Sequence, residues 1–159
     1  MAIAEYIHHV TVHVPLVASA MMAVIATYWL RTDSGDVKPL VRWLGWGTLL
    51  ATTAAVVSGI VAAPGAFGGD GPKVLADHRN LGLTTYWAMF TAVVAFEWGH
   101  RSGNRPTQRF GALVWWAVVF GAIGTGHWGG SSLHSDVVPW DGTQPAYERT
   151  HDASPDGIE

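Results

Sequence analysis

The chain has 159 residues, of which 49% are apolar and 13% carry a charge, about half the ~25% of a soluble domain. It contains no Cys, which excludes disulfides, thiolate sites and iron–sulfur clusters, so a metal would need His, carboxylate or Met ligands. The net charge of −3 argues against a nucleic-acid partner. The N-terminal segment MAIAEYIHHV has no basic stretch before its apolar run, so we expect no cleaved signal peptide.

Four apolar stretches follow in chain order, at about residues 10–30, 40–63, 79–98 and 110–128. Each is close to the ~20 residues that a helix needs to cross ~30 Å of hydrocarbon. Any one stretch could also be a buried helix of a soluble protein, but four of them would leave such a fold with almost no polar surface. The sequence therefore predicts an all-α membrane protein, with a four-helix up-down transmembrane bundle over residues 1–130 and an extended polar tail over 131–159.

The basic residues predict the orientation of this bundle. Six of the nine Lys and Arg flank the two short loops that follow helices 1 and 3, namely Arg31, Lys38, Arg42, Arg101, Arg105 and Arg109. By the positive-inside rule these loops are cytoplasmic, so both termini lie on the outer, periplasmic side of a bacterial inner membrane. At the cytoplasmic level we expect Glu97 to be interfacial and four Trp residues to form an interfacial belt: Trp29, Trp43, Trp46 and Trp98.

Six of the eight His residues are predicted to gather at the outer face. His8, His9 and His13 lie at the outer end of helix 1, and His78 at that of helix 3; His127 ends helix 4, and His134 follows it. A single His near a helix end is usually an ordinary interfacial polar residue. Six from several distant segments indicate a functional site instead, because polar groups at this depth are costly and usually functional.

A haem b is the cofactor that this arrangement favours. In a bundle with short loops, helices 1 and 3 lie on a diagonal roughly 12–14 Å apart. Bis-histidine haem needs imidazoles on opposite sides of the iron, and His13 and His78 form such a diagonal pair. His9 and His13 are four residues apart on one helix face, so they cannot ligate opposite sides of one iron.

His127 has no diagonal partner, because helix 2 contains no His. We expect it to bond a haem propionate or to ligate a second haem together with His9 or His134. Arg79 is a further candidate propionate partner, as are Lys73, Ser131 and Ser132. Space for the macrocycle is expected at small residues, the alternative being ordinary small-residue helix packing: Ser58, Gly59, Gly82, Gly121, Gly124 and Gly126.

Three motifs resemble a known family. HHVTVHVPLVAS resembles the opening H-P-x-x-V-H-F-P-I-A of small bacterial membrane proteins known as domain of unknown function twenty-two thirty-one. GTGHWGGSSLH resembles the closing T-G-H-x-G-G-x-L-V-Y of that family, and DHRNLGL matches the His that begins its third helix. The resemblance implies a four-helix bundle associated with haem b or redox chemistry, with His8, His13, His78 and His127 as the four family His. The chain departs from the family at His9, Val14 and His134.

Three functions remain open on the sequence. The first is an electron-transfer subunit with one haem b, or two, working between a quinone and a periplasmic cytochrome c or larger redox complex. The second is a Cu or Zn protein without haem, for which His13, His78 and His127 would be ligands. The third is a structural subunit of a respiratory or photosynthetic complex. A stand-alone enzyme is not expected, because the bundle contains no nucleophile–base pair, phosphate loop or carboxylate pair.

Overall fold

The computed structural model of the chain describes residues 3–62 and 73–133, and these form four helices. Their bounds are α1, Ile3–Thr32; α2, Val37–Ala62; α3, Lys73–Arg101; and α4, Arg105–Leu133. Each helix matches one predicted apolar stretch, although residue 63 of the second stretch lies outside the described residues. Most helices run several residues beyond the stretch, because polar helix ends can continue into the interface once the apolar segment has crossed the hydrocarbon. His8 and His9 are therefore inside α1 rather than before it.

Two tight turns define what we call the short-turn end of the bundle, residues 33–36 and 102–104. In the first, Asp33 has a left-handed φ of 52°, which Asp tolerates better than most residues, and its N–H bonds the carbonyl of Trp29 at 2.8 Å. In the second, Gly103 has a φ of 68°, and Oδ1 of Asn104 caps α4 by accepting the N–H of Thr107 at 3.1 Å. The turns make α1 and α2 one antiparallel hairpin, and α3 and α4 another.

The order of the helices around the bundle agrees with the expected diagonal. α1 packs against α2 and α4, and α3 packs against α4 and α2, so α1 and α3 face each other across the bundle. The contacts are most extensive within the α3–α4 hairpin and within the α1–α2 hairpin, and less extensive between the two hairpins. The bundle therefore consists of two tightly packed halves that meet along a looser interface.

A stripe of α1 residues spaced three or four apart forms one side of the core: Ser19, Met22, Ala26 and Trp29 are all buried. The Trp29 ring is 2% exposed and packs edge-on against Phe96, with 5.0 Å between the ring centroids. The expectation that Trp29 belongs to an interfacial belt is therefore wrong, because this residue continues the inward stripe. Trp43, Trp46 and Trp98 are exposed, as a belt requires.

The outer surface of the bundle is apolar. Leu50 and Phe120, for example, are 73% and 69% exposed. Three helices are long and apolar enough to cross a membrane, over Ile7–Thr32, Val37–Ala62 and Arg105–His127. The part of the chain that the structure describes is accordingly all-helical, and its three long apolar helices indicate a membrane protein. α3 has a comparable length, but polar residues near both of its ends shorten its apolar part.

Candidate functional site

His8 lies between α1 and α2, on the side of α1 that faces the bundle. Its Nδ1 is 3.1 Å from the carbonyl oxygen of Ala55 and 3.1 Å from Oγ of Ser58. Thr11, one turn along α1, extends this network, because its hydroxyl lies 3.2 Å from the same Ser58 oxygen. The inward position of His8 follows from the periodicity of the buried stripe on α1, which runs back from Ser19 through Pro15 to His8.

Gly59 makes room for the His8 ring. A Cβ atom at this position would lie 3.0 Å from Cε1 and 3.3 Å from Nδ1 of His8, closer than ordinary van der Waals contact. The imidazole therefore rests directly on the backbone of α2. Gly59 was expected to leave space for a macrocycle, and in the structure the space beside it holds the ring of His8.

His78 occupies the corresponding place in the α3–α4 hairpin. The ring is half-buried, and its Nδ1 lies 3.0 Å from the carbonyl oxygen of Thr125 on α4. Gly82, one turn further along α3, faces the same residue, since a Cβ there would lie 3.5 Å from Cγ2 of Thr125. On α4, a Cβ at Gly124 would lie 3.0 Å from Cδ2 of Leu81. Small residues thus allow α3 and α4 to approach closely around His78. This is ordinary small-residue helix packing, the alternative to space for a macrocycle.

The two rings share one pattern of hydrogen bonding. A carbonyl oxygen only accepts, so Nδ1 of His8 donates its hydrogen to Ala55 and Nδ1 of His78 donates to Thr125. In a neutral imidazole this leaves the lone pair on Nε2, and neither Nε2 makes a hydrogen bond to another residue that the structure describes. A backbone carbonyl that fixes the tautomer in this way is the usual partner of a metal-ligating His.

The two rings also belong to opposite sides of the bundle. His8 is on α1 and bonds α2, whereas His78 is on α3 and bonds α4, so each hairpin contributes one imidazole. Both residues lie near the ends of their helices that are opposite the short turns, so the two rings are at the same end of the bundle. We call the end of the bundle that contains His8 and His78 the histidine end. It contains one His from each of the diagonal helices α1 and α3, whereas the sequence predicted His13, not His8, as the partner of His78.

The other candidate histidines are placed differently. His13 and His127 are exposed, and His127 makes at least one interaction with another residue. His9 is half-buried and its ring centroid lies 6.2 Å from that of His8. His134 lies outside the described residues. The placement of His13 on the outward face of α1 makes it a poor partner for His78 within the bundle, although its predicted role as a ligand is otherwise untested.

Arg79 was predicted to bind a propionate, and a Cu or Zn site without haem was the predicted alternative. Nε and Nη2 of Arg79 donate to Oδ1 of the neighbouring Asn80 at 3.1 and 3.0 Å, and the side chain has at least one further interaction. Within residues 3–62 and 73–133, no three His, Asp or Glu side chains come together as a metal ion would require. The predicted ligands His13, His78 and His127 therefore do not form such a group within these residues.

A polar cluster at the short-turn end was not predicted. Glu97, which was expected to be interfacial, is 7% exposed within the bundle and accepts two hydrogen bonds from Arg42, at 2.8 and 2.9 Å. Arg101, one turn along α3, donates a third at 2.8 Å. Beside Arg42 and Glu97 is a cavity with room for about one water molecule. The signal in the sequence was an acidic residue inside an apolar stretch, which is costly unless it is paired.

Comparisons with family models, with curated proteins and with solved structures each returned no match for this chain. The resemblance to the domain-of-unknown-function family therefore stays a prediction that depends on the three motifs alone.

Proposed function

We propose that this chain is an electron-transfer protein similar to a b-type cytochrome, in which His8 and His78 hold one haem b at the histidine end. The observation that carries the proposal is a shared geometry: each Nδ1 lies within hydrogen-bond distance of a carbonyl of the neighbouring helix. An Nδ1–H that donates to this carbonyl leaves Nε2 available as a ligand. Two imidazoles suffice for haem, since the porphyrin supplies the remaining four ligands of the iron. A bare Cu or Zn ion needs more protein ligands than this pair provides.

The proposed setting is a bacterial inner membrane. α3 would be a fourth span over about residues 79–98, because it packs along α4 and α2, which are themselves long and apolar enough to cross. The basic residues near both turns favour a cytoplasmic position for the short-turn end. The histidine end and both termini would then face the periplasm, where a redox partner such as a cytochrome c is accessible.

The interface between the hairpins is the proposed location of the cofactor. Contacts across this interface are less extensive than those within each hairpin. His8 and His78 make their hydrogen bonds inside their own hairpins, to Ala55 and to Thr125, so both rings stay anchored if the hairpins separate slightly. A planar group inserted there would replace apolar contacts and leave both anchoring bonds intact.

When bound, haem iron would supply one-electron redox chemistry between a quinone and a periplasmic cytochrome c or larger redox complex. The residues of the chain would hold and tune it. The carbonyls of Ala55 and Thr125 orient the two rings and increase the basicity of Nε2, which strengthens it as a ligand. The apolar helices around the site lower the local dielectric constant and limit access of water.

The test is the absorption spectrum of the full chain, expressed with haem supplied and purified in detergent. We expect a b-type α-band in the reduced-minus-oxidised spectrum, and we expect His8→Ala and His78→Ala each to abolish the spectrum of the six-coordinate iron. His13→Ala is the matched control, because His13 lies on the same helix as His8 but is exposed. It should leave the spectrum unchanged.

Two results would contradict the proposal. Wild-type protein without haem at near-stoichiometric amounts would end the haem assignment altogether. Loss of the spectrum in His13→Ala with retention in His8→Ala would instead return the ligand pair to His13 and His78.

A further inference from the structure

The short-turn end carries a group of cations that its acidic residues do not balance. Arg42 and Arg101 share a single carboxylate, that of Glu97. Lys38 lies one turn before Arg42 on α2, and no salt bridge joins it to any acidic residue that the structure describes. Three cations and the Glu97 carboxylate therefore lie where α2 begins and α3 ends, and Asp36, two residues before Lys38, forms no salt bridge with Lys38.

His100 lies among these cations. Its Nδ1 is buried and has no hydrogen-bond partner within the described part of the chain. Burial lowers the pKa of His100 below 6.5, and the positive charges of Lys38, Arg42 and Arg101 lower it further. The Glu97 carboxylate acts in the opposite direction but does not cancel these effects. Lys38, Arg42 and Arg101 outnumber the single Glu97 carboxylate near His100, so a second anion would balance their charge.

The position of the cluster relative to the bilayer indicates which anions can reach it. Trp43, next to Arg42, is 75% exposed, and Trp98, next to Glu97, is 69% exposed. Trp is enriched in membrane helices at the level of the lipid headgroups, and these two lie close to the helix ends at the short turns. The cluster is thus at the depth of lipid phosphates, on the side of the bundle where α2 and α3 pack less extensively than α3 and α4.

We infer that Lys38, Arg42, Arg101 and His100 form a binding site for a phosphate group, as carried by an anionic phospholipid. Arg42 and Arg101 are oriented by their bonds to Glu97, which leaves their remaining N–H groups available to phosphate oxygens. Lys38 supplies the charge that no described carboxylate neutralises. Basic pockets between membrane helices on the cytoplasmic side are recognised sites for acidic headgroups. The inference does not depend on the haem proposal.

The experiment measures lipid binding to the full chain in detergent by native mass spectrometry, with phosphatidylglycerol and with neutral phosphatidylcholine. We expect phosphatidylglycerol to bind more tightly than phosphatidylcholine, and we expect Lys38→Gln to weaken it about fivefold, the effect of one cation at an anionic lipid surface. Arg109→Gln is the matched control, since Arg109 is an exposed cation of the same end on α4. It should change binding by less than about twofold.

A second arm identifies the source of the phosphate. Thermal unfolding is recorded with sodium phosphate and with sodium chloride at equal ionic strength. Stabilisation by phosphate that Lys38→Gln removes, without selective lipid binding, would support the site with free phosphate as its ligand. Equal binding of the two lipids together with no phosphate effect would overturn the inference, as would equal losses in Lys38→Gln and Arg109→Gln. Far-ultraviolet circular dichroism checks that both variants retain their helices.

Discussion

The close contact between α3 and α4 gives a direct test of the bundle. A Cβ at Gly111 of α4 would lie 2.6 Å from the carbonyl oxygen of Ala92 and 2.7 Å from the backbone N of Phe96, whereas ordinary contact begins at 3.4 Å. Both atoms belong to the backbone of α3, so no side-chain rotation can relieve the clash. Gly111→Ala therefore requires α3 and α4 to move apart locally by about 0.8 Å, the difference between 3.4 and 2.6 Å.

This separation should destabilise the fold, because it loosens the most extensive helix contact in the bundle. Overpacking of a tight core typically costs ~1–3 kcal/mol, and we expect Gly111→Ala to lower the free energy of unfolding by about 2 kcal/mol. The measurement is equilibrium unfolding in mixed micelles of mild detergent and dodecyl sulfate, followed by circular dichroism. Gly47→Ala is the control, since nothing lies within 4 Å of a Cβ there, and it should be neutral or slightly stabilising. Equal unfolding curves for Gly111→Ala and wild type would refute the packing of α3 on α4.

Three further predictions concern single side chains. Glu97→Ala should lower the free energy of unfolding by about 2 kcal/mol or more, because it leaves two arginines without their carboxylate. Arg101→Ala should lower it by less than about 1 kcal/mol, since the Arg101 side chain is 76% exposed. Equal losses for the two variants in the same micelle assay would contradict this prediction. Gly59→Ala should displace the His8 ring and reduce haem occupancy, with no loss of helix content, as measured by the haem absorbance per protein. Because the pKa of His100 is lowered in the fold, the unfolded chain binds this proton at a higher pH than the folded chain does. The free energy of unfolding should therefore fall as the pH drops through 6.5. His100→Asn should reduce that fall, and a variant with the same pH dependence as wild type would contradict the prediction.

The helical class and the approximate positions of the four helices could be predicted from hydropathy, because long apolar runs have few alternatives. The ends of the helices were less predictable. α1 begins at Ile3 and α4 reaches Leu133, beyond the apolar segments, since helical hydrogen bonding continues into polar sequence when nothing interrupts it. This difference matters for His8, which is a helical residue with a defined face and not part of a preceding coil.

The choice between His8 and His13 shows where sequence reasoning becomes weak in a membrane helix. The depth of a residue can be estimated from its position in an apolar run, and by depth His13 and His78 form a pair. Which face turns inward is harder to predict, because both faces of α1 are apolar. The sequence offered one signal, the small residues of α1, because small residues occur where helices pack closely. Ser19, Ala23 and Ala26 lie on the inner face, and the same face continues to His8.

The ion pair of Glu97 and Arg42 could not be predicted from local sequence. The two residues are 55 positions apart, and their contact depends on α2 and α3 being neighbours at the short-turn end. Only the need for a partner was evident, since a carboxylate within an apolar run is costly when it is alone. Arg101, four residues after Glu97 on the same helix, was the one partner that spacing offered.

The two polar clusters differ in how they connect the hairpins, and this difference has a consequence for cofactor binding. The Arg42–Glu97 pair joins α2 to α3 across the hairpin interface, and the indole of Trp116 on α4 donates to Thr27 on α1 at 2.9 Å. Both bonds fasten the hairpins to each other in the half of the bundle nearer the short turns. At the opposite end, the hydrogen bonds of His8 to Ala55 and of His78 to Thr125 each stay within one hairpin. A widening of the interface at the histidine end would therefore leave the Arg42–Glu97 pair intact. It would have to stretch the α2–α3 contacts of Thr52 with Met89 at 3.1 Å and of Thr53 with Tyr86 at 3.5 Å, which cross the interface nearer the middle of the bundle.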